Sequence, residues 1–450
     1  MHIKRVSIIK LMGMILCFIP FTLLTGPFLP DLSITILCIS FLIISIREKL
    51  WFYFYNPFFI FFILFCVYLI ISSLLSEYRL DSLKSSLFYC RFGIFALAVW
   101  FIINNTEDTL KKFSKYLLIF FSIAIFDGYF QYFFDYNLFG FSSSSANRMT
   151  LLLNDRLILG GYLSRLFPLL IAMLIYNYTS NRKYLVYSFI LLVLVDVLIF
   201  ISGERTALGL LFLSTLATLI MFNNFKIFRL AVVVFSVFII IGISNYDKST
   251  YQRSINYALE QMQIKKDFSS PMYFSADHQS LAVTAYRIFL DNKVIGVGPK
   301  LFRKYCNNKE YKAHEIYLSC STHPHNSFIQ VATESGLIGL LFLIIPTVFL
   351  FYKMAQHAIL MYIRKNPIFS DYQISLLCCF FLTLWPILPT QSFFNNWINI
   401  IYFLPVGFFL HSIYSEKVKI FYFLKKNIEK CANKLKSKIW IVLISLLISV

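Results

Sequence analysis

The chain alternates between long apolar runs and short polar or basic connections. Runs near the length needed to cross a bilayer, about 20 residues each, lie near 6–26, 29–46, 51–75, 86–103, 114–134, 157–177, 184–201, 207–222, 229–243, 327–352, 373–390 and 398–414. The pattern predicts an all-α polytopic membrane protein with about twelve transmembrane helices. The first run has no small-residue cleavage site behind a short apolar core, so it reads as a retained helix rather than a removed leader. A last apolar stretch, IWIVLISLLISV at 439–450, is too short to cross and is expected to lie at the interface.

These runs divide the chain. Residues 1–243 hold transmembrane helices one to nine, 244–324 form the single large extramembrane loop, 325–415 hold three more helices, and 416–450 form a basic tail. A loop of that length is usually functional or disordered. Its sequence does not read as disordered: SLAVTAYRIFL (280–290) has helical spacing, VIGVGP (294–299) is a turn, and KLFRKY (300–305) starts a second short helix.

Composition fits this division. Hydrophobic residues make up 58% of the chain and charged residues 14%, against about a quarter charged in an ordinary soluble domain. The net charge of +19 does not call for nucleic acid, because lysine and arginine also set membrane topology. They collect in alternate connections: Lys4, Arg5 and Lys10; Arg47 and Lys49; Lys111, Lys112 and Lys115; Arg182 and Lys183; Lys226 and Arg229; Lys353, Arg364 and Lys365; and the lysines after 415. The other short connections hold only Arg79, Lys84, Arg148, Arg156 and Arg205. Both termini are therefore expected inside and the large loop outside. The lysine-rich tail would contact anionic lipid at the inner leaflet.

Ionisable groups at membrane depth are expensive unless paired or facing a cavity. Arg165 in YLSRLFPLL and Asp196 read best as buried pairs or snorkelling groups. Arg91 in FYCRFGIF and the Asp127/Gln131 pair lie in the outer halves of their runs and could line a cavity. Arg205, in ISGERTALGLL, occupies a very short outside turn, where a rigid guanidinium suits a phosphate.

The stretch CSTHPHNSFIQVATESGLIGLL (320–341) has the densest candidate chemistry. Pro324 and Ser327 suit a helix start. Asn326, Gln330 and Glu334 recur at every fourth position along one helix face, which should border a water- or substrate-filled cavity with His325 at its mouth. Gly336 and Gly339 permit close helix contact. His323 and His325 have no third metal ligand at recognisable spacing, whereas a neutral imidazole suits acid–base chemistry. The nine cysteines contain no CxxC pair. Cys306 and Cys320, alone in the large loop, would be free to pair in an oxidising compartment, but spacing leaves their geometry open.

His325-Asn326, nine residues, Gly336, two residues, Gly339 resembles the H-[NSQ]-x9-G-x-x-G signature of the bacterial O-antigen ligase family, which includes many O-antigen polymerases. SGERTALGLL and TAYRIFLDNKVIGVGPKLF resemble two further segments of that family. RMTLLLNDRLILGGYLSRLFPLL resembles a segment common in its polymerase-like members. The resemblance spans roughly 147–345. Lys293 stands where the family usually has proline, and Leu151 or Leu152 replaces a glycine expected after Arg148.

The resemblance implies a GT-C-like, metal-independent glycosyltransferase with no cofactor, which takes a glycan from undecaprenyl diphosphate at the periplasmic face and joins it to an acceptor sugar. That acceptor is lipid A-core in the ligase and another lipid-linked repeat unit in the polymerase. His325 is the implied general base, and Arg205 and Arg287 the stabilisers of the departing diphosphate. Arg91, Arg148, Asn326, Gln330, Glu334 and Arg303 are expected to bind substrate. A lipid-linked-oligosaccharide transporter would also suit many spans with buried charge, but it should show related halves, and no internal repeat is found. A silent scaffold in a polysaccharide-assembly complex is a third reading.

Overall fold

The computed structural model describes residues 2–142, 148–153, 156–180, 184–252, 256, 275–314 and 316–415. The expected basic tail, the 439–450 stretch, Arg182 and Lys183 lie outside these residues. The described residues are helical, with no strand and one isolated bridge between Tyr136 and Ser142. Nine of their helices are long and apolar enough to cross a membrane: Phe28–Glu48, Pro57–Leu75, Arg79–Asn105, Thr109–Phe134, Leu159–Asn177, Tyr184–Ile201, Lys226–Tyr246, Ser327–Arg364 and Asn396–Ser415. Three shorter apolar helices, Val6–Thr22, Arg205–Met221 and Asp371–Thr383, occupy the remaining positions of the apolar pattern.

The Leu159–Asn177 helix is the centre of the bundle, 89% buried, while the Lys226–Tyr246 helix at the rim is 17% buried. The central helix packs against the Thr109–Phe134, Tyr184–Ile201, Arg205–Met221 and Asp371–Thr383 helices. Two polar links fasten it. The Tyr162 hydroxyl donates to the Pro20 carbonyl at 3.0 Å, and the Asn177 amide donates to Ser114 Oγ at 2.8 Å.

Several boundaries differ from the apolar pattern, each for a local reason. Trp51–Tyr53 is a single 3-10 turn, and the next helix starts at Pro57, capped by the Asn56 side chain on Phe59 N–H at 3.0 Å. The run 373–390 is helical only to Thr383, because Pro386 and Pro389 in WPILPT cannot continue it. Residues 384–395 form an irregular segment that turns back onto 323–330. Lys353 lies within the long Ser327–Arg364 helix rather than after it.

Arg229 is not a surface charge. It is 2% exposed and grips Asp196 with both terminal nitrogens, at 2.8 and 3.2 Å, with Thr215 adding a third contact and Phe167 lying under the guanidinium. Pairing satisfies both charges at membrane depth. Asp127 and Gln131 are likewise occupied: Asp127 accepts from Leu138 N–H at 2.9 Å and Gln131 bonds Thr150 and the Phe141 carbonyl. They pin a loop to the end of their helix, and the second Asp127 oxygen, Oδ2, is buried without a hydrogen-bond partner among the described residues.

The Ser327–Arg364 helix breaks at Gly336, where φ is 64° and ψ −167°. Into this break runs the Lys293–Gly298 turn. Leu337 N–H donates to the Lys293 carbonyl at 2.8 Å, Val297 N–H to the Thr333 carbonyl at 3.2 Å, and Gly298 N–H to the Glu334 carbonyl at 2.8 Å. A Cβ on Gly336 would collide with the Val294 carbonyl, and one on Gly296 with the backbone of Glu334 and Ser335. Tyr68 and Ser72 of the Pro57–Leu75 helix donate to the carbonyls the break exposes, at Ser335 and Ile295. Backbone groups freed inside an apolar bundle need such partners.

Candidate active site

Three histidines meet where the Ser327–Arg364 helix begins. His325 has a left-handed backbone, φ 55°, and its carbonyl accepts from Thr390 N–H at 2.7 Å. Its ring centroid lies 4.1 Å from that of His323 and 5.6 Å from that of His278. His323 is buried, with Nδ1 2.9 Å from Thr322 Oγ1 and Nε2 3.3 Å from the Thr390 carbonyl. His323 thus braces the irregular 384–395 segment, and the half-buried His325 ring stands over it.

His278 joins them from the large loop. It lies in the first turn of the Ala276–Asp291 helix, whose cap Ser275 places Oγ 2.6 Å from His278 Nδ1. Asp277 and Ser280 tie this helix to the strip before the histidines, accepting from Leu318 N–H at 3.0 Å and pairing with Ser319 at 2.8 Å. A small core of Leu281, Ala285, Ile288, Val297, Leu301, Phe302 and Cys306 fills the space below. Cys306 and Cys320 are joined by a disulfide with Cα atoms 5.0 Å apart, which closes the loop just before the histidines.

Burial holds all three rings below the usual histidine range. His278 is pushed down to about 4, first by burial, then by His325, with Arg205 adding to the effect and Asp277 opposing it. His323 is pushed down to about 3, by burial, then His325, with Arg303 and His278 contributing. His325 is lowered by burial, against the Thr390 backbone. Near neutral pH the cluster is uncharged, so His325 is present in the neutral form that a general base requires.

Arginines surround the cluster unevenly. Arg205 begins the Arg205–Met221 helix, half-buried, within electrostatic reach of His278 and of Arg148. Arg148 donates to the Leu157 carbonyl at 2.7 Å and faces Glu204 at 3.9 Å. Burial raises Glu204 to about 7, against Arg148 and Arg165. Its Oε2 accepts from Gly161 N–H at 3.2 Å. Arg303, exposed, lies near His323. Arg287 is exposed and donates to the Lys312 carbonyl at 2.7 Å, nine residues and thus about 13 Å of helix from His278. Arg91 is paired with Asp31, at 2.6 and 3.2 Å.

The polar stripe below His325 faces protein, not an open cavity. Asn326, Gln330 and Glu334 are buried. Asn326 caps the helix on Ile329 N–H at 3.0 Å and donates to the Pro386 carbonyl at 2.7 Å. Gln330 bonds Ser392, Phe393 N–H and Glu334. Glu334 accepts from Lys300 N–H at 2.9 Å and Phe302 N–H at 3.1 Å. Each side chain holds a neighbouring segment in register beneath the histidines.

A family model described as O-antigen ligase matches residues 188–344. The chain carries an O-antigen ligase domain. No curated protein matches the chain. The O-antigen ligase domain spans the Arg205 turn, the large loop and the first turns of the Ser327–Arg364 helix, and so contains His278, Arg287, Arg303, His325 and the Gly336 break. Arg91 and Arg148 come from outside it. The protein is thus a multi-pass membrane protein with a ligase- or polymerase-type role in O-antigen assembly.

Reading the sequence missed His278, Lys300, Glu204 and the Thr390–Phe393 segment. His278 follows a stretch without clear periodicity, and the 384–395 segment was absorbed into an apolar run. The two prolines and the polar TQS at 390–392 were the available signal.

Proposed function

We propose that the protein joins a glycan from undecaprenyl diphosphate to an acceptor sugar at the periplasmic face of the inner membrane, as an O-antigen ligase acting on lipid A-core. The observation that carries this reading is the uncharged His325 ring, half-buried, beside His278, which has Arg205 within its own electrostatic reach. With the termini inside, the loop-bearing end faces the periplasm.

In the reaction, the acceptor hydroxyl oxygen attacks the anomeric carbon on the face opposite the diphosphate. The new C–O bond forms as the carbon–diphosphate bond breaks, and its electron pair leaves with the diphosphate. His325 takes the hydroxyl proton. Arg205 stabilises the departing charge without needing to transfer a proton. Arg287 is the second candidate for that role, since Nε and Nη2 make no hydrogen bond among the described residues. Direct displacement inverts the anomeric centre, and none of these steps calls on a metal ion. Asn326, Gln330 and Glu334 act as positioning residues through Pro386, Ser392 and the Lys300 turn.

A repeat-unit polymerase is the second reading, favoured by the 148–165 segment, whose Arg148 stands beside Glu204. Gene deletion separates the two. Long glycan left on the carrier with none on lipid A-core supports the ligase; core capped by a single repeat supports the polymerase; normal capping and chain length count against both.

A further inference from the structure

The turn VIGVGP (294–299) is followed by an unpaired lysine, in a place the donor side does not use. Lys300 is half-buried with φ 62°, and its N–H is held by Glu334 at 2.9 Å. The preceding Gly298 is pressed against Ser76 and Ser82, where an added Cβ would lie 2.7 and 3.0 Å from them. The backbone is therefore fixed on two sides, yet the Lys300 ammonium has no hydrogen-bond or ion-pair partner among the described residues. Arg303, one turn on, also has none.

Nearby acids are already engaged. Glu334 spends its oxygens on Lys300 N–H, Phe302 N–H and the Gln330 amide. Asp31 holds Arg91, and Asp81 holds Lys84 and Lys304 at 3.2 and 3.4 Å. Burial lowers Lys300, and Arg303 and Arg91 add to the effect, with Glu334 opposing it. Lys300 and Arg303 thus share one opposite charge, the already engaged Glu334, and an anionic ligand would supply another.

Arg205 and Arg148 lie by the Leu159–Asn177 and Arg205–Met221 helices, on the side that His278 faces. Lys300 and Arg303 lie over the ends of the Pro57–Leu75 and Arg79–Ser86 helices, on the side that His323 faces. His325 is packed between His278 and His323.

We propose that Lys300 and Arg303 form a second anion subsite, distinct from the Arg205 side, which binds a phosphate-bearing part of the acceptor glycan. This rests on the glycosyltransferase reading above and adds that both substrates are held by charge, one on each side of the base.

The test measures binding, so that it does not depend on transfer. Full-length His325→Ala protein in nanodiscs is titrated with phosphorylated lipid A-core oligosaccharide, with its phosphatase-treated form, and with an undecaprenyl-diphosphate-linked repeat unit. Adding Lys300→Gln and Arg303→Gln should weaken binding of a phosphate-bearing glycan about ten-fold and leave the phosphatase-treated form unaffected. Lys309→Gln, exposed in the same loop, should change nothing, and Lys300→Arg should keep most of the binding. Weakening for the phosphorylated lipid A-core supports the acceptor subsite, whereas weakening confined to the undecaprenyl-diphosphate-linked unit overturns it. Equal binding with and without the two substitutions, or equal weakening for the phosphatase-treated glycan, overturns the subsite. If the unsubstituted protein binds phosphorylated glycan through Lys300 and Arg303 but transfers nothing to it, the transferase reading fails and the subsite stands.

Discussion

The Val294 carbonyl enters the Ser327–Arg364 helix at Gly336, where a missing side chain leaves room for it. This contact joins the large loop to the helix that begins with His325. Gly336 has a backbone conformation open almost only to glycine, costing other residues of order 1–3 kcal/mol before any clash. Gly336→Ala should therefore lower the melting temperature sharply and abolish transfer. Gly242→Ala, in the Lys226–Tyr246 helix, whose Cβ would meet nothing within 4 Å, should be far milder. Comparable melting temperatures for the two variants would contradict the interlock.

The Asp196–Arg229 pair should behave as a structural unit remote from the chemistry. Removing one partner leaves an uncompensated buried charge, with an expected loss of roughly 3–5 kcal/mol, whereas replacing both with apolar residues of similar size recovers most of it. Thermal unfolding of Arg229→Met, Asp196→Leu and the double variant in detergent checks this. Transfer per folded molecule should be unchanged in the double variant.

The amount of structure legible in the sequence depended on the kind of signal. Apolar runs gave the helices because a span must bury its backbone over a fixed length, and the 280–290 periodicity appears as the Ala276–Asp291 helix. Periodicity also put Asn326, Gln330 and Glu334 on one face. It could not say whether that face met solvent or the folded-back 384–395 segment, because residues some 60 apart in sequence supply the answer. Arg229 was misread for the same reason, since its position near a helix end suggested a surface charge while Asp196 waits on the neighbouring helix. Gly336 was legible as a small residue but not as a break, because the Val294 carbonyl that fills it comes from the loop.

Reduction of Cys306–Cys320 should loosen the loop. A bridge closing a loop of this size contributes about 3 kcal/mol through the unfolded state, and here it secures the strip that leads to His323. Hydrogen exchange after mild reduction should rise across 306–322 and in the Ala276–Asp291 helix, with transfer falling. Exchange confined to residues next to the cysteines would count against that role.

Acid should act on the histidines in a defined direction. His278 and His323 are depressed to about 4 and about 3, so their neutral forms favour the fold. That stability is full above the ordinary histidine value near 6.5 and is lost as pH falls towards about 4 and below. Glu204, raised to about 7, has the opposite sign, contributing below its ordinary value and fading as pH rises through 7. Melting temperature should therefore fall on acidification below 6.5. His278→Asn should remove part of that fall.

Transfer by the purified protein, with an undecaprenyl-diphosphate glycan donor and lipid A-core acceptor, tests the central claim most directly. His325→Ala should lower turnover by about 10²–10⁴-fold, with a melting temperature close to that of the parent, and the parent's product should carry the inverted anomeric configuration. Full transfer by His325→Ala, or a retained configuration in the parent's product, would contradict the account.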